Sequence, residues 1–231
     1  MQPCAASIQG TLSHAIGRIT GEKVLPQGSG RTDAGVHALA QVASVAIESP
    51  IPAENFCKAL NDILLPSIRI SAVSEAPADF HARKSASAKT YRYRIYRGPI
   101  CPPFLARYVW HYPYPLHWER MREAAAFILG EHDFTSFAAV DPERNRADNS
   151  QSNVRKIFDS IWQQDGEELN YTVRGSGFLH HMVRNLVGTF LLVGRGTVEI
   201  EDITRILQAR NRPAAGATVP ASGLYLVNVE Y

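Results

Sequence analysis

The sequence predicts an α+β fold, and three observations carry the prediction. Helical and strand periodicities mix without the regular alternation of a doubly wound parallel sheet. Two β-rich stretches flank Asp165-Gly166, which is a hairpin signal. The two parts of the chain share a similar strand–helix rhythm with no repeated sequence. At 231 residues, 45% hydrophobic and 20% charged, the chain fits one large domain or two small halves. Such a chain buries about 70–75% of its unfolded surface, so its core needs no disulfide staples. The composition excludes disorder, collagen and coiled coil.

The elements follow in order. Ser7 can cap a helix with the stripe Ile8, Leu12, Ala15, Ile16 and Ile19. A loop rich in glycine (Gly28, Gly30, Gly35) leads to Ala40–Ile47, which reads as a buried strand. Pro52 can start a second helix carrying Phe56, Leu60 and Ile63, and Ile68–Val73 reads as a strand. The later part holds a strand at Lys89–Arg97 and a helix from Trp118 to Leu129. Asp141–Ser152 is a polar stretch expected to be a mobile loop. Strands are expected at Ile157–Trp162 and Leu169–Val173, then a long apolar helix at Leu179–Val193 that Gly194 ends. A short helix at Asp202–Ala209 and a strand at Leu224–Val229 follow.

No apolar run approaches ~18 residues, so no membrane span is expected. The opening MQPCAASIQG lacks the basic start and apolar stretch of a signal peptide, and a cytoplasmic protein is expected. Cys4, Cys57 and Cys101 fit neither a disulfide framework nor a zinc pattern, and read as reduced thiols. His180 and His181 are adjacent, but no nearby Cys, Asp or Glu completes a metal set, so no metal is expected.

Charge is unevenly placed. The whole chain nets +2. Phe80–Trp118 contains no Asp or Glu but seven basic residues: Arg83, Lys84, Lys89, Arg92, Arg94, Arg97 and Arg107. The rest of the chain therefore nets −5. The same window holds 10 of the 21 aromatic residues. Cations that meet phosphates, with rings that stack on unpaired bases, describe a nucleic-acid surface. A solvated strand with a core face is the plainer reading. In the stretch KTYRYRIYR (Lys89–Arg97), strand alternation puts Tyr91, Tyr93 and Ile95 on one face and Arg92, Arg94 and Tyr96 on the other.

Two features point to chemistry. The loop GSGRTDAGVHA (Gly28–Ala38) is neither a P-loop nor G-x-G-x-x-G, because Asp33 fills the sixth place. Asp33 is either a turn residue bonding its own backbone or a functional carboxylate with Arg31 close by. Arg184 shares a helical ridge with His180, Val187 and Leu191 at the margin of the apolar stripe. Leaving its charge unpaired there costs several kcal/mol, so it needs an anion. Asp33 is a plausible partner; a phosphate, or a route to solvent, is the alternative.

These residues are familiar. GRTDAGVHA (Gly30–Ala38) resembles the active-site loop of the TruA family of tRNA pseudouridine synthases. FHAR (Phe80–Arg83), the Tyr-Arg strand, FTSF (Phe134–Phe137), HHMVRN (His180–Asn185) and GLYL (Gly223–Leu226) occur in family order over nearly the whole chain. The resemblance implies an isomerase that converts uridine to pseudouridine in the anticodon stem-loop of tRNA, at positions 38 to 40, with no cofactor or metal. It implies that Asp33 is the catalytic carboxylate and that Tyr91 stacks on the uracil. It pairs Arg184 with the catalytic aspartate, gives Arg31 a part in holding the flipped nucleotide, and lets Leu224 touch the uracil or remain a core leucine. His181 is left as structural. A homodimer whose two subunits both touch the tRNA is also implied.

The expected architecture is two ferredoxin-like (βαββαβ) halves, residues 1–78 and 79–231, sharing one extended, mostly antiparallel sheet with a basic cleft. The family opens with a strand before Gln-Pro, whereas here Gln2-Pro3 follows Met1 directly. The expectation is that the first strand is missing and that Met1 is an internal methionine of a longer reading frame, which sequencing the native N-terminus would decide. Two rivals stand beside the isomerase: a catalytically inactive RNA-binding protein, and an enzyme acting on a free nucleoside or nucleotide.

Overall fold

The computed structural model describes residues 7–140 and 152–231. The expectations for Met1, for Cys4 and for nearly all of the Asp141–Ser152 loop lie outside these residues. In chain order the helices and strands are α1 (Ile8–Thr20), β1 (Gln27–Gly28), β2 (His37–Ala38), β3 (Ala43–Ser44), α2 (Ala53–Ile63), β4 (Ala88–Tyr96), β5 (Trp110–His111), α3 (Trp118–Ala125), β6 (Gly130–Asp133), β7 (Val154–Asp165), β8 (Glu168–Gly175), α4 (Met182–Gly194), α5 (Asp202–Ala209) and β9 (Leu224–Glu230). This is the expected α+β class. Among the described residues no helix is long and apolar enough to cross a membrane.

The chain divides into two compact units. The first comprises Met1–Arg31 and Gln41–Ala86, the second Thr32–Ala40 and Ser87–Tyr231. In the first unit, the Ser7 hydroxyl accepts a hydrogen bond from the Gly10 N–H at 3.1 Å, which caps α1 as its sequence predicts. Gly21, at φ +78°, closes the helix in a left-handed conformation that suits glycine. Ala15 and Ile16 of α1 pack with Phe56, Leu60 and Leu64 of α2 and the residue that follows it. The expected strand Ala40–Ile47 shrinks to Ala43–Ser44, paired antiparallel with β1. The expected strand Ile68–Val73 pairs with nothing among the described residues. Ile68, Ile70 and Val73 are nonetheless partly buried against the α1–α2 core. Apolar alternation fixes which side chains turn inward, whereas a ladder also needs a neighbour for its backbone.

In the second unit, seven strands form one mostly antiparallel sheet, ordered β2-β9-β4-β8-β7-β6, with β5 alongside β4. Tyr93, Tyr171 and Trp162 stand directly opposite one another across β4, β8 and β7. All three are almost fully buried. Phe190 of α4 lies edge-on to Tyr171 and Trp162, at 5.3 and 6.2 Å between ring centres. Cutting Phe190 to Ala would cost about 3–5 kcal/mol. That row seats α4 on the sheet and so fixes the height of Arg184, two turns earlier on the helix.

The residues that stop α4 from sliding are small and polar. A Cβ on Gly188 would fall 1.9 Å from the Ala217 carbonyl oxygen, and one on Gly216 would lie 2.5 Å from Gly188. Only glycine at both places allows this backbone approach. The buried Thr189 hydroxyl accepts the Gly216 N–H at 2.9 Å, and the Asn185 side-chain oxygen accepts from Thr218 and Arg212 at 2.6 and 2.9 Å. The strap 215–220 is thereby pinned along α4.

Candidate active site

The strap and the strand that follows it assemble the site, which lies wholly in the second unit. Arg184 Nε donates to the Val219 carbonyl at 2.7 Å, and the Tyr93 hydroxyl donates to the Pro220 carbonyl at 2.7 Å. Burial pushes the Tyr93 hydroxyl far above its ordinary value, with the Arg184 charge opposing. A Cβ on Gly223 would sit 2.8 Å from the Tyr93 ring, so the chain can turn into β9 here only as glycine. β9 then receives the Asp33 loop: His37 and Ala38 pair parallel with Tyr225 and Leu226, and the Leu39 N–H donates to the Leu226 carbonyl at 2.8 Å.

Asp33 opens a tight turn. The Val36 N–H donates to the Asp33 carbonyl at 3.1 Å, and Gly35 has φ +86°. A positive φ at the third position of such a turn favours glycine. The sequence left the Asp33 side chain open between a turn partner and an arginine. The geometry answers: Arg184 Nη1 donates to Asp33 Oδ2 at 2.6 Å across 151 residues of sequence. The Asp33 side chain is 26% exposed and that of Arg184 only 14%, so the pair sits at a surface with its guanidinium largely sunk.

Tyr91 is buried, and its ring meets Phe178 edge-on at 5.0 Å. Burial and then the Asp33 charge push its hydroxyl up to about 12. The tyrosine therefore lies within the electrostatic reach of the carboxylate and stays a phenol at neutral pH. Leu224 is buried opposite Tyr93, on the sheet face that carries Tyr91. Asp33, Arg184 and Tyr91 are thus brought together, while Leu224 shares the sheet face of Tyr91. Arg31 is exposed and belongs to the first unit.

Two residues of the site escaped the sequence reading. His181 Nε2 is 3.2 Å from Asp33 Oδ2, and His180 Nε2 is 3.5 Å from Asp33 Oδ1. His181 adopts φ +59°, ψ +4° just before α4, a conformation uncommon outside glycine and asparagine. It delays the helix to Met182, three residues later than the apolar stripe predicts, and turns both rings toward the aspartate. Burial holds the His181 imidazole below its usual value, against the opposing charge of Asp33. Their adjacency three and four residues before Arg184 was the available signal. Asp33, His180 and His181 also form a set of three metal-capable groups whose ligand atoms lie within 4.8 Å of one another. No acidic residue is near these histidines in sequence; folding supplies one.

The acid-free window contributes less free charge than its composition suggests. Arg94 is held by Glu168 through two hydrogen bonds of 2.8 and 2.6 Å and lies over the Tyr225 ring. Arg92, on the same face of β4, is exposed.

Comparison with known proteins finds relatives over the whole chain. A family model described as tRNA pseudouridine synthase matches residues 124–231. A protein of Solibacter usitatus named tRNA pseudouridine synthase A is 52% identical over 231 residues, covering all of this chain and 92% of the relative. Proteins with the same name from Caldicellulosiruptor saccharolyticus and Acetivibrio thermocellus are 43% and 40% identical, each over all of this chain and 92% of the relative.

Proposed function

This chain belongs to the tRNA pseudouridine synthase A family, and from that premise we propose that it isomerises uridines at positions 38 to 40 of the anticodon stem-loop, with Asp33 as the catalytic carboxylate. The observation that carries the reading is the 2.6 Å contact between Arg184 and Asp33 beside the buried Tyr91 ring. The enzyme is an isomerase: the N1–C1′ bond of uridine breaks, the uracil turns, C5 joins C1′ as its proton leaves, and N1 takes up a proton.

The uridine must leave its stack to reach the carboxylate, at a cost of a few kcal/mol. Tyr91 offers the flipped base a ring, and Leu224 an apolar neighbour. As a phenol, Tyr91 can donate a hydrogen bond to the turning uracil; it does not stand ready as a base. Arg184 takes one oxygen of Asp33 and orients the other. Exposed Arg92 is a phosphate contact, and Arg31, next to the Asp33 loop in sequence, is a candidate hold on the flipped nucleotide. Such cations grip a backbone without reading sequence, which suits an enzyme accepting neighbouring uridines. The protein would act in the cytoplasm as a homodimer.

Tritium release from tRNA carrying C5-labelled uridine tests the reading. Release is expected from the wild type and absent from Asp33→Asn, which should still bind tRNA. Binding without release by the folded wild type would make the protein an RNA binder. Turnover of free uridine or UMP, with none on tRNA, would make it a nucleoside or nucleotide enzyme.

A further inference from the structure

We propose that Asp33, His180 and His181 form a binding site for a divalent transition metal of zinc type, and that metal bound there arrests the isomerase. The arrest rests on the reading of Asp33 given above; the metal site does not.

Three observations carry the inference. The first is spacing. Tetrahedral zinc with bonds of about 2.0–2.1 Å holds neighbouring ligand atoms about 3.3–3.4 Å apart. His180 Nε2 stands 3.5 Å from Asp33 Oδ1, the oxygen that Arg184 leaves open, and ligand atoms of Asp33, His180 and His181 all lie within 4.8 Å of one another. The second is orientation. His180 Nδ1 lies 3.0 Å from the Val140 carbonyl, which can only accept, so Nδ1 carries the hydrogen. In the neutral ring Nε2 then bears a lone pair aimed at Asp33 Oδ1. Two acceptors face each other, and a cation between them resolves the conflict. A ring N–H held by a backbone carbonyl is also the usual outer support of a metal-binding histidine. The third is rigidity. His181 is fixed by its left-handed backbone at the start of α4, and the two rings lie 3.9 Å apart.

Arg184 limits the affinity without abolishing the site. It occupies Oδ2, leaves Oδ1 to the metal, and supports the carboxylate as hydrogen-bonded ligands commonly are supported. Its charge repels the incoming cation, so binding is weaker than in a closed four-ligand site. Zinc on Oδ1 takes the oxygen that the reaction needs, and turnover stops while metal is bound.

Cobalt(II) reports the geometry directly. Titrating the chelator-treated full-length protein with Co2+ should give one equivalent of tightly coupled visible absorption, intense as in a four-coordinate site. His180→Ala and Asp33→Asn should each lose it while keeping the wild-type circular dichroism. Zn2+ should lower wild-type tritium release at least tenfold, reversibly with EDTA. In His180→Ala the ratio of rates with and without Zn2+ should approach one, which also controls for zinc held by the tRNA. An absent band, or one unchanged in His180→Ala, overturns the site; a proton on His180 Nε2 then resolves the facing acceptors. A band with undiminished tritium release keeps the site and overturns the arrest. Full turnover by Asp33→Asn would instead sink the catalytic reading and leave the cobalt result standing.

Discussion

Two arginine–carboxylate pairs in the second unit use the same chemistry for different ends. Arg94 and Glu168 meet through two parallel hydrogen bonds of 2.8 and 2.6 Å, so both carboxylate oxygens are engaged. Arg184 and Asp33 meet through one bond of 2.6 Å, because Arg184 spends its Nε on the Val219 carbonyl. A fork closed on both oxygens fixes strands and leaves nothing to react. A guanidinium divided between a carboxylate and the backbone orients the acid and leaves Oδ1 unengaged by it, as the proposed reaction requires. Asp33 also has two imidazoles within 3.5 Å, whereas Glu168 lies beside Arg94 and Tyr225. The neighbours of each pair, more than its residue types, set its use.

The same amide substitution at each carboxylate breaks the comparison most sharply. Asp33→Asn is expected to lower turnover by at least about a thousandfold, since an amide is no nucleophile and no base at neutral pH. Glu168→Gln should leave turnover within twofold and cost about 1 kcal/mol of stability. For a chain of this size that is a fall of about 2–4 °C in Tm. Tritium release and thermal melts on both variants read the two effects. A rate loss in Glu168→Gln matching that of Asp33→Asn would erase the distinction.

Arg184→Lys gives the next effect. Lysine keeps the charge but lacks the planar fork that reaches Val219 and Asp33 together. A loss of about 10–100-fold in kcat with little change in KM is expected, because orientation fails before binding does. Arg94→Lys should change neither constant. Tyr91→Phe sharpens the picture further: the ring still stacks, so a loss under about tenfold is expected if stacking is its main part. A much larger loss would assign the hydroxyl a direct role in the proton transfers.

How much of this was legible depended on how local the cause was. α5 runs Asp202–Ala209 as read, because its apolar stripe lies within eight residues. The Asp165-Gly166 hairpin and the faces of β4 were equally readable, from turn chemistry and alternation. Ile68–Val73 was not, since pairing depends on a distant neighbour. In the site, Asp33 and Arg184 could be joined only through the family pattern, because 151 residues separate them. His181 was read as structural because its left-handed backbone, which aims the ring, leaves no periodic trace.

A third carboxylate, Asp133 at the end of β6, marks the purely structural limit and carries the smallest effect. Its side chain accepts the Thr135 N–H at 2.9 Å and the Thr135 hydroxyl at 2.6 Å, and Arg210 Nε lies 3.2 Å away. Burial alone would raise this group, but the Thr135 hydrogen bonds and the Arg210 charge outweigh it, and the folded carboxyl lies below its ordinary value. The sign follows. Above the unfolded value both states are ionised and the contribution is fully present. As the pH falls below it, the unfolded chain takes up the proton first, and the contribution is lost by the time the folded group is protonated. Urea melts of wild type and Asp133→Asn between about pH 3 and 5 should show a shallower acid loss in the variant. Turnover at neutral pH should stay within twofold, because the Asp133 carboxylate is engaged by Thr135 and Arg210 and by none of the residues proposed for the site. Parallel acid limbs would mean that solvent screens the group completely, and would leave the two imidazoles beside Asp33 as what sets its carboxylate apart from a capping one.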